Sequence, residues 1–177
     1  APTGEDLDRL WDDLRSDDAP TAYQAILALA GTPDKAVALV KERVPAEPPP
    51  DPKRVQALIR RLDGDFDERA AAGKELAKLG EAVEPALRET LAGQPSAEVR
   101  VRCDRLLEAL NHGNLDADGV RRLRAVQVLE QVGSPDAKAA LKALAAGAPG
   151  ALSRNAKAAL DALERRANAG ERGASAP

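Results

Sequence analysis

The chain has one cysteine and one histidine, so the side chains able to do nucleophilic or zinc chemistry are nearly used up by naming them. A Ser-His-Asp or Cys-His arrangement needs a base beside its nucleophile. His112 lies in the turn sequence NHGN after a helical stretch and reads as a loop or helix-capping residue. Cys103 falls on an apolar seam with Val99 and Leu106, which predicts a buried, inert thiol. One Cys and one His cannot supply the three or four ligands of a usual zinc site. Two loops imitate the opening of a calcium-binding EF-hand, where acidic groups at positions 1, 3 and 5 and a glycine at 6 precede a bidentate Glu at 12. Asn114, Asp116, Asp118 and Gly119 match that opening, but Arg122 and Ala125 occupy the later ligand positions. Asp63, Asp65 and Asp67 are followed by Glu68 in the glycine slot and Lys74 at the end. Both loops read as turns and helix caps, as do Ser96 and Ser134. No catalytic residue, cofactor or metal is therefore expected, and the chain is read as a non-enzyme with no small-molecule substrate implied.

Charge is the next candidate for chemistry. Basic residues cluster as Lys53, Arg54, Arg60 and Arg61, then Arg100, Arg102 and Arg105, then Arg121, Arg122 and Arg124. In helices such clusters are solvated faces beside acidic partners. A nucleic-acid surface is the alternative reading, disfavoured by 26 basic against 29 acidic residues and by only 2% aromatics to stack on bases. Trp11, the sole tryptophan, is read as part of an end cap, with a partner-binding anchor as its rival.

The elements that must position these residues are helices. Hydrophobic residues make up 44% of the chain, mostly Ala, Leu and Val, which suits close helix packing and suits sheets poorly. The stretch from Arg69 to Gly93 holds Ala72, Leu76 and Leu79 in one apolar stripe and Val83, Leu87 and Leu91 in another, hinged at Gly80. That reads as two helices folded back on each other, with Gly80 left-handed. Similar hinges occur at Gly31 and Gly133, 49 residues before Gly80 and 53 after it, and Gly31-Thr32-Pro33-Asp34 is echoed by Gly133-Ser134-Pro135-Asp136. The stretch VPAEPPPDP breaks helix outright. Predicted boundaries are an N-terminal capping helix and helical pair over 1–44, a proline-rich linker over 45–52, a repeat domain over 53–168 with its firmest core from Arg69 to Leu163, and a disordered tail over 169–177. The helix after Pro135 also carries alanine on its far side, at Ala139, Ala143 and Ala146, and expects neighbours on two sides.

RAAAGKELAKLGEAVEPALRETL with SAEVRVRCDRLLEAL, and RAVQVLEQVGSPDAKAALKAL with LSRNAKAALDAL, resemble HEAT-like repeats. The order of the whole chain, including LWDDLRSDDAPTAYQAILALAG, also resembles the helical region that follows the propeller in large bacterial WD40-repeat proteins. The resemblance implies an all-α solenoid of about nine or ten helices and a scaffold that binds a protein partner. In a stacked array the second helix of each pair lines one surface, here the helices after Gly31, Gly80 and Gly133. On that basis Arg88, Lys138 and Lys142 are the expected partner-binding residues. No apolar run is long enough to span a membrane, and no methionine opens the chain, so a soluble, cytoplasmic piece of a larger protein is the expectation.

Overall fold

The computed structural model describes residues 3–112 and 116–174. Those residues form ten α-helices and no strand: α1 (Gly4–Asp13), α2 (Ala19–Ala30), α3 (Pro33–Arg43), α4 (Pro52–Arg61), α5 (Phe66–Lys78), α6 (Glu84–Ala92), α7 (Ala97–His112), α8 (Ala117–Val132), α9 (Pro135–Ala145) and α10 (Ala151–Ala174), with a 3₁₀ turn at Gly80–Val83 before α6. Local chemistry accounts for the helix starts. Thr3 and Asp65 each close a capping box with the residue three positions on, and Asp18, Asp51, Asp116 and Ser134 each accept a backbone N–H of the first turn. Proline sits at the first or second position of α2, α3, α4, α6 and α9, where its missing donor is not needed. The C-terminal helix runs on to Ala174 where a disordered tail was expected from 169; Ala169, Glu171, Arg172 and Ala174 favour helix, Gly170 and Gly173 oppose it, and no proline interrupts before Pro177. Residues 175–177 lie outside the described ones.

The chain forms two compact units, and they cut across the predicted boundaries. One is built from Ala1–Glu47, Leu115–Gly147 and Ala151–Pro177; the other from Pro48–Asn114 with Ala148–Gly150. The break at Pro48 falls inside the expected linker. The expected domain over 53–168 is divided, because α8 packs on α2 and α3 as well as on α9 and α10. Trp11, Leu14, Ile26, Leu29, Val37 and Val40 share one core with Val128, Leu129, Leu141 and Leu163. Amphipathic stripes say that a helix needs a partner, and α2 and α3, besides packing on their neighbours in sequence, find a further one in α8 about 100 residues downstream.

The second unit has its own core of Val55, Leu58, Leu62, Leu76, Leu87, Cys103 and their neighbours. Within it α4 packs on α5 and α6 on α7, while α4 also meets α6 and α5 meets α7. The expected pairing of the two stripes around Gly80 is corrected here: α5 lies mainly against α4 and α7, and α6 against α7. Gly80 is left-handed as predicted, with φ of 58°, but it feeds a 3₁₀ turn and not a tight helical hairpin.

Candidate functional site

The basic cluster on α8 is consumed in holding the first unit together. Arg121 pairs with Asp12 of α1 at 3.0 Å and with Asp118 on its own helix. Arg124 Nη1 donates to the carbonyls of Leu14 and Ser16, both at 2.7 Å, so it caps the exit of α1. Trp11 is buried, with the guanidinium carbons of Arg43 and Arg121 at 5.5 and 5.4 Å from its ring centroid. Arg43 also pairs with Asp8. Trp11 therefore belongs to the packing of α1, and a partner cannot reach its ring face without displacing two arginines. Arg122 lies 3.7 Å from Glu47. Elsewhere Arg54 pairs with Glu75 and Arg102 with Glu98. Intramolecular carboxylates thus pair with Arg54, Arg102, Arg121 and Arg122 among the clusters that a nucleic-acid surface would have needed free.

The reactive residues are placed as follows. Cys103 is completely buried in the core of the second unit, and burial, with the Asp104 carboxylate adding to it, pushes its thiol pKa above the ordinary value. A thiol held protonated is a poor nucleophile. His112 closes α7; its side chain, and Asn114 of the EF-hand-like loop, lie outside the described residues. Asp116 accepts from the Gly119 N–H at 2.7 Å, Asp65 caps α5, and Asp63 accepts from the Ser96 hydroxyl at 2.8 Å. No group of three or more metal-ligating side chains occurs among the described residues.

No match was found. Protein-family models, curated proteins and solved structures all fail to align with this chain. The site must therefore be read from geometry alone, and the three residues expected to bind a partner come first. They fall in different units: Arg88 on α6, and Lys138 and Lys142 one turn apart on α9. Arg88 is exposed but pairs with Glu84 at 2.9 Å. Lys142 is exposed and Lys138 half-buried, and among the described residues neither has an ion-pair partner. α9 does have neighbours on two sides, in α8, α10 and α3, yet Ala139, Ala143 and Ala146 remain exposed. Ala139 and Ala143 line an apolar hollow of about 330 Å³ with Val40, Val44 and Pro45, on the side of α9 away from the lysines. Gly147 follows the C-cap Ala146 of that helix, and a Cβ there would lie 3.0 Å from the Glu47 carbonyl, so glycine lets the strap 44–47 pass this close.

Two features escaped sequence reading. The outward face of α2 exposes Tyr23 and Leu27, one turn apart, to 58% and 42%. No charged residue occurs from Ala19 to Gly31, in a chain that is 31% charged. The signal was present as that gap in charge. The second feature is a groove between α5 and α7. One hollow of about 180 Å³ is lined by Leu62, Gly73, Arg102, Arg105 and Leu106. A second, of about 150 Å³, is lined by Leu76, Ala77, Val83, Leu106, Ala109 and Leu110. Leu106 is common to both.

Proposed function

We propose that this chain is a non-catalytic helical module that binds other proteins, a HEAT-like scaffold segment of a larger multidomain protein. The observation that carries the reading is the uncharged face of α2. A helix on a soluble surface ordinarily presents charge to water, and an exposed Tyr and Leu on a helix with no charged residue of its own mark a surface that another protein covers. The pairing within the second unit, α4 with α5 and α6 with α7 and like helices touching like, supports helix-pair repeats of the HEAT kind in that segment. The resemblance to the region following propellers in bacterial WD40-repeat proteins supports the scaffold context. Lys138 and Lys142, which have no ion-pair partner among the described residues, would select an acidic partner on α9, and Arg88, paired with Glu84, would do so on α6.

Site-specific photo-crosslinking tests the reading. A photoreactive phenylalanine at Tyr23 should yield a discrete protein adduct in cells of the source organism, while the same group at the exposed Lys157 should not. Lys138→Glu with Lys142→Glu should weaken capture of an acidic partner and leave the melting temperature unchanged, since surface substitutions of this kind shift stability by about 0.5 kcal/mol or less. Adducts that contain nucleic acid, or equal adducts at both positions, would reverse the reading.

A further inference from the structure

The geometry points to a docking groove in the second unit for an acidic amphipathic helix of a partner protein, and this deepens the protein-binding reading above and rests on it. Gly73 is the first observation. It stands in the middle of α5, where glycine costs about 1 kcal/mol relative to alanine. Its φ is not left-handed, and a Cβ built on it meets nothing within 4 Å. Neither turn geometry nor close packing calls for glycine there. What the missing side chain does is leave open the floor of the hollow that Arg102, Arg105 and Leu106 surround.

The second observation is spacing. Gly73 floors one hollow and Ala77 the next, one turn further along α5. One turn is about 5.4 Å, the separation at which a helix presents side chains at i and i+4. Each hollow is smaller than the roughly 300 Å³ of the smallest ordinary small-molecule site, so the pair fits two aliphatic side chains better than one ligand. The occupant must also satisfy its own backbone. The described residues contain no strand to extend, and the main-chain groups of α5 and α7 are spent within their helices, so an extended peptide would gain no ladder here. A helix brings its hydrogen bonds with it.

Charge sets the third requirement. Arg102 and Arg105 line the first hollow, and Arg69, its Nε buried without a hydrogen bond, lies 3.8 Å from the Glu98 that pairs with Arg102. Glu98 pairs with Arg102 through contacts of 2.6 and 2.8 Å, so one carboxylate faces two guanidiniums, those of Arg69 and Arg102. Arg105 is exposed and has no ion-pair partner among the described residues. A carboxylate on the incoming helix, one turn before its first aliphatic side chain, completes the set.

The test uses the full chain and a fluorescein-labelled helical peptide of Ala, Gln and Lys, bearing Leu at i and i+4 and Glu at i−4 and i−3. Anisotropy should show saturable binding. Replacing the two Glu by Lys, or the two Leu by Ala, should weaken it at least about tenfold. Gly73→Leu, which fills the first hollow with a better helix former, should do the same with circular dichroism and melting retained. Arg105→Glu should weaken the Glu peptide and strengthen the Lys peptide, a reversal that loss of fold cannot produce. Absence of binding at about 1 mM peptide, or affinity that ignores Gly73→Leu and Arg105→Glu, overturns the groove. If Tyr23→Glu alone abolishes binding, the α2 face is the docking site and the broader reading stands without this groove; the Tyr23 crosslink decides that broader reading by itself.

Discussion

Cys103 shows what burial does to a side chain that could otherwise react. Its sulfur lies in a core of Val99, Leu62 and Leu107, and the cost of placing a thiolate there raises the pKa, with Asp104 adding to the effect. The sign of the consequence for stability is definite. Below the ordinary thiol value of about 8.5 both folded and unfolded chains hold the proton, and the stabilisation is fully present. As pH rises past that value the unfolded chain loses its proton first, and the folded state is progressively disfavoured until the raised pKa is reached. Urea midpoints measured from pH 7 to 10 should therefore fall more steeply for the native chain than for Cys103→Ala, which has no thiol to titrate. Equal slopes, or rapid labelling of the native thiol by a disulfide reagent at pH 8, would contradict the burial. The position was legible beforehand because an apolar seam at i, i+4 and i+7 is a local pattern. The roles of Arg121 and Arg124 on α8 were legible only as part of a cluster, since their acceptors in and just after α1 lie more than 100 residues away.

Two hinges with nearly the same sequence fold differently, and the difference belongs to the element, not the residue. At Gly133 the glycine is left-handed, with φ of 60°, and this turns Ser134 into the extended conformation from which its hydroxyl accepts the Ala137 N–H at 3.2 Å. At Gly31 the glycine stays right-handed, Thr32 makes no side-chain cap, and its hydroxyl instead donates back to the Leu29 carbonyl at 3.1 Å. The motif Gly-Ser/Thr-Pro-Asp fixed where a helix ends and the next begins. It did not fix the turn. Three substitutions separate the cases. Gly31→Ala meets only backbone carbonyls at 3.4 Å and beyond, with no positive φ, and should be nearly neutral. Gly80→Ala meets nothing but is strained at φ of 58°, a penalty of about 1 to 2 kcal/mol. Gly133→Ala carries the same strain and also presses Leu163 Cδ2 at 3.3 Å, so it should be the costliest. Chemical denaturation that ranks Gly31→Ala worst would refute this assignment of the hinges. The element limits themselves were readable from caps, prolines and stripes, because each acts within one or two turns. The α5–α7 groove was not, because it arises where a side chain is missing, and a lone glycine in a helical pattern does not announce what it faces.

At the scale of the molecule, the second unit interrupts the first in sequence. Its core draws on one continuous stretch, α4 to α7, whereas α8 to α10 share their core with α1 to α3. A regular array over 53–168 would leave α8 to α10 stable without the N-terminal residues, because each repeat would lean on the one before it. The observed packing requires the opposite. Removing 1–47 strips Leu14, Ile26, Leu29, Val37 and Val40 away from Val128, Leu129 and Leu141, exposing an apolar face that water must cover. In a fragment of residues 48–177, tryptic cleavage at Arg124, Lys138 and Lys142 should become fast, while sites on α7 such as Arg100 and Arg102 stay protected as in the full chain. Adding residues 1–47 as a separate chain should restore protection to α8 and α9, and the emission of Trp11, the sole tryptophan, should shift to the blue as its ring is buried. The fragment 48–114 should melt cooperatively alone, though at about 67 residues its stability will be small. Unchanged protection of α8 and α9 after deletion of 1–47 would return the C-terminal helices to a self-sufficient array and leave the N-terminal helices as a dispensable cap.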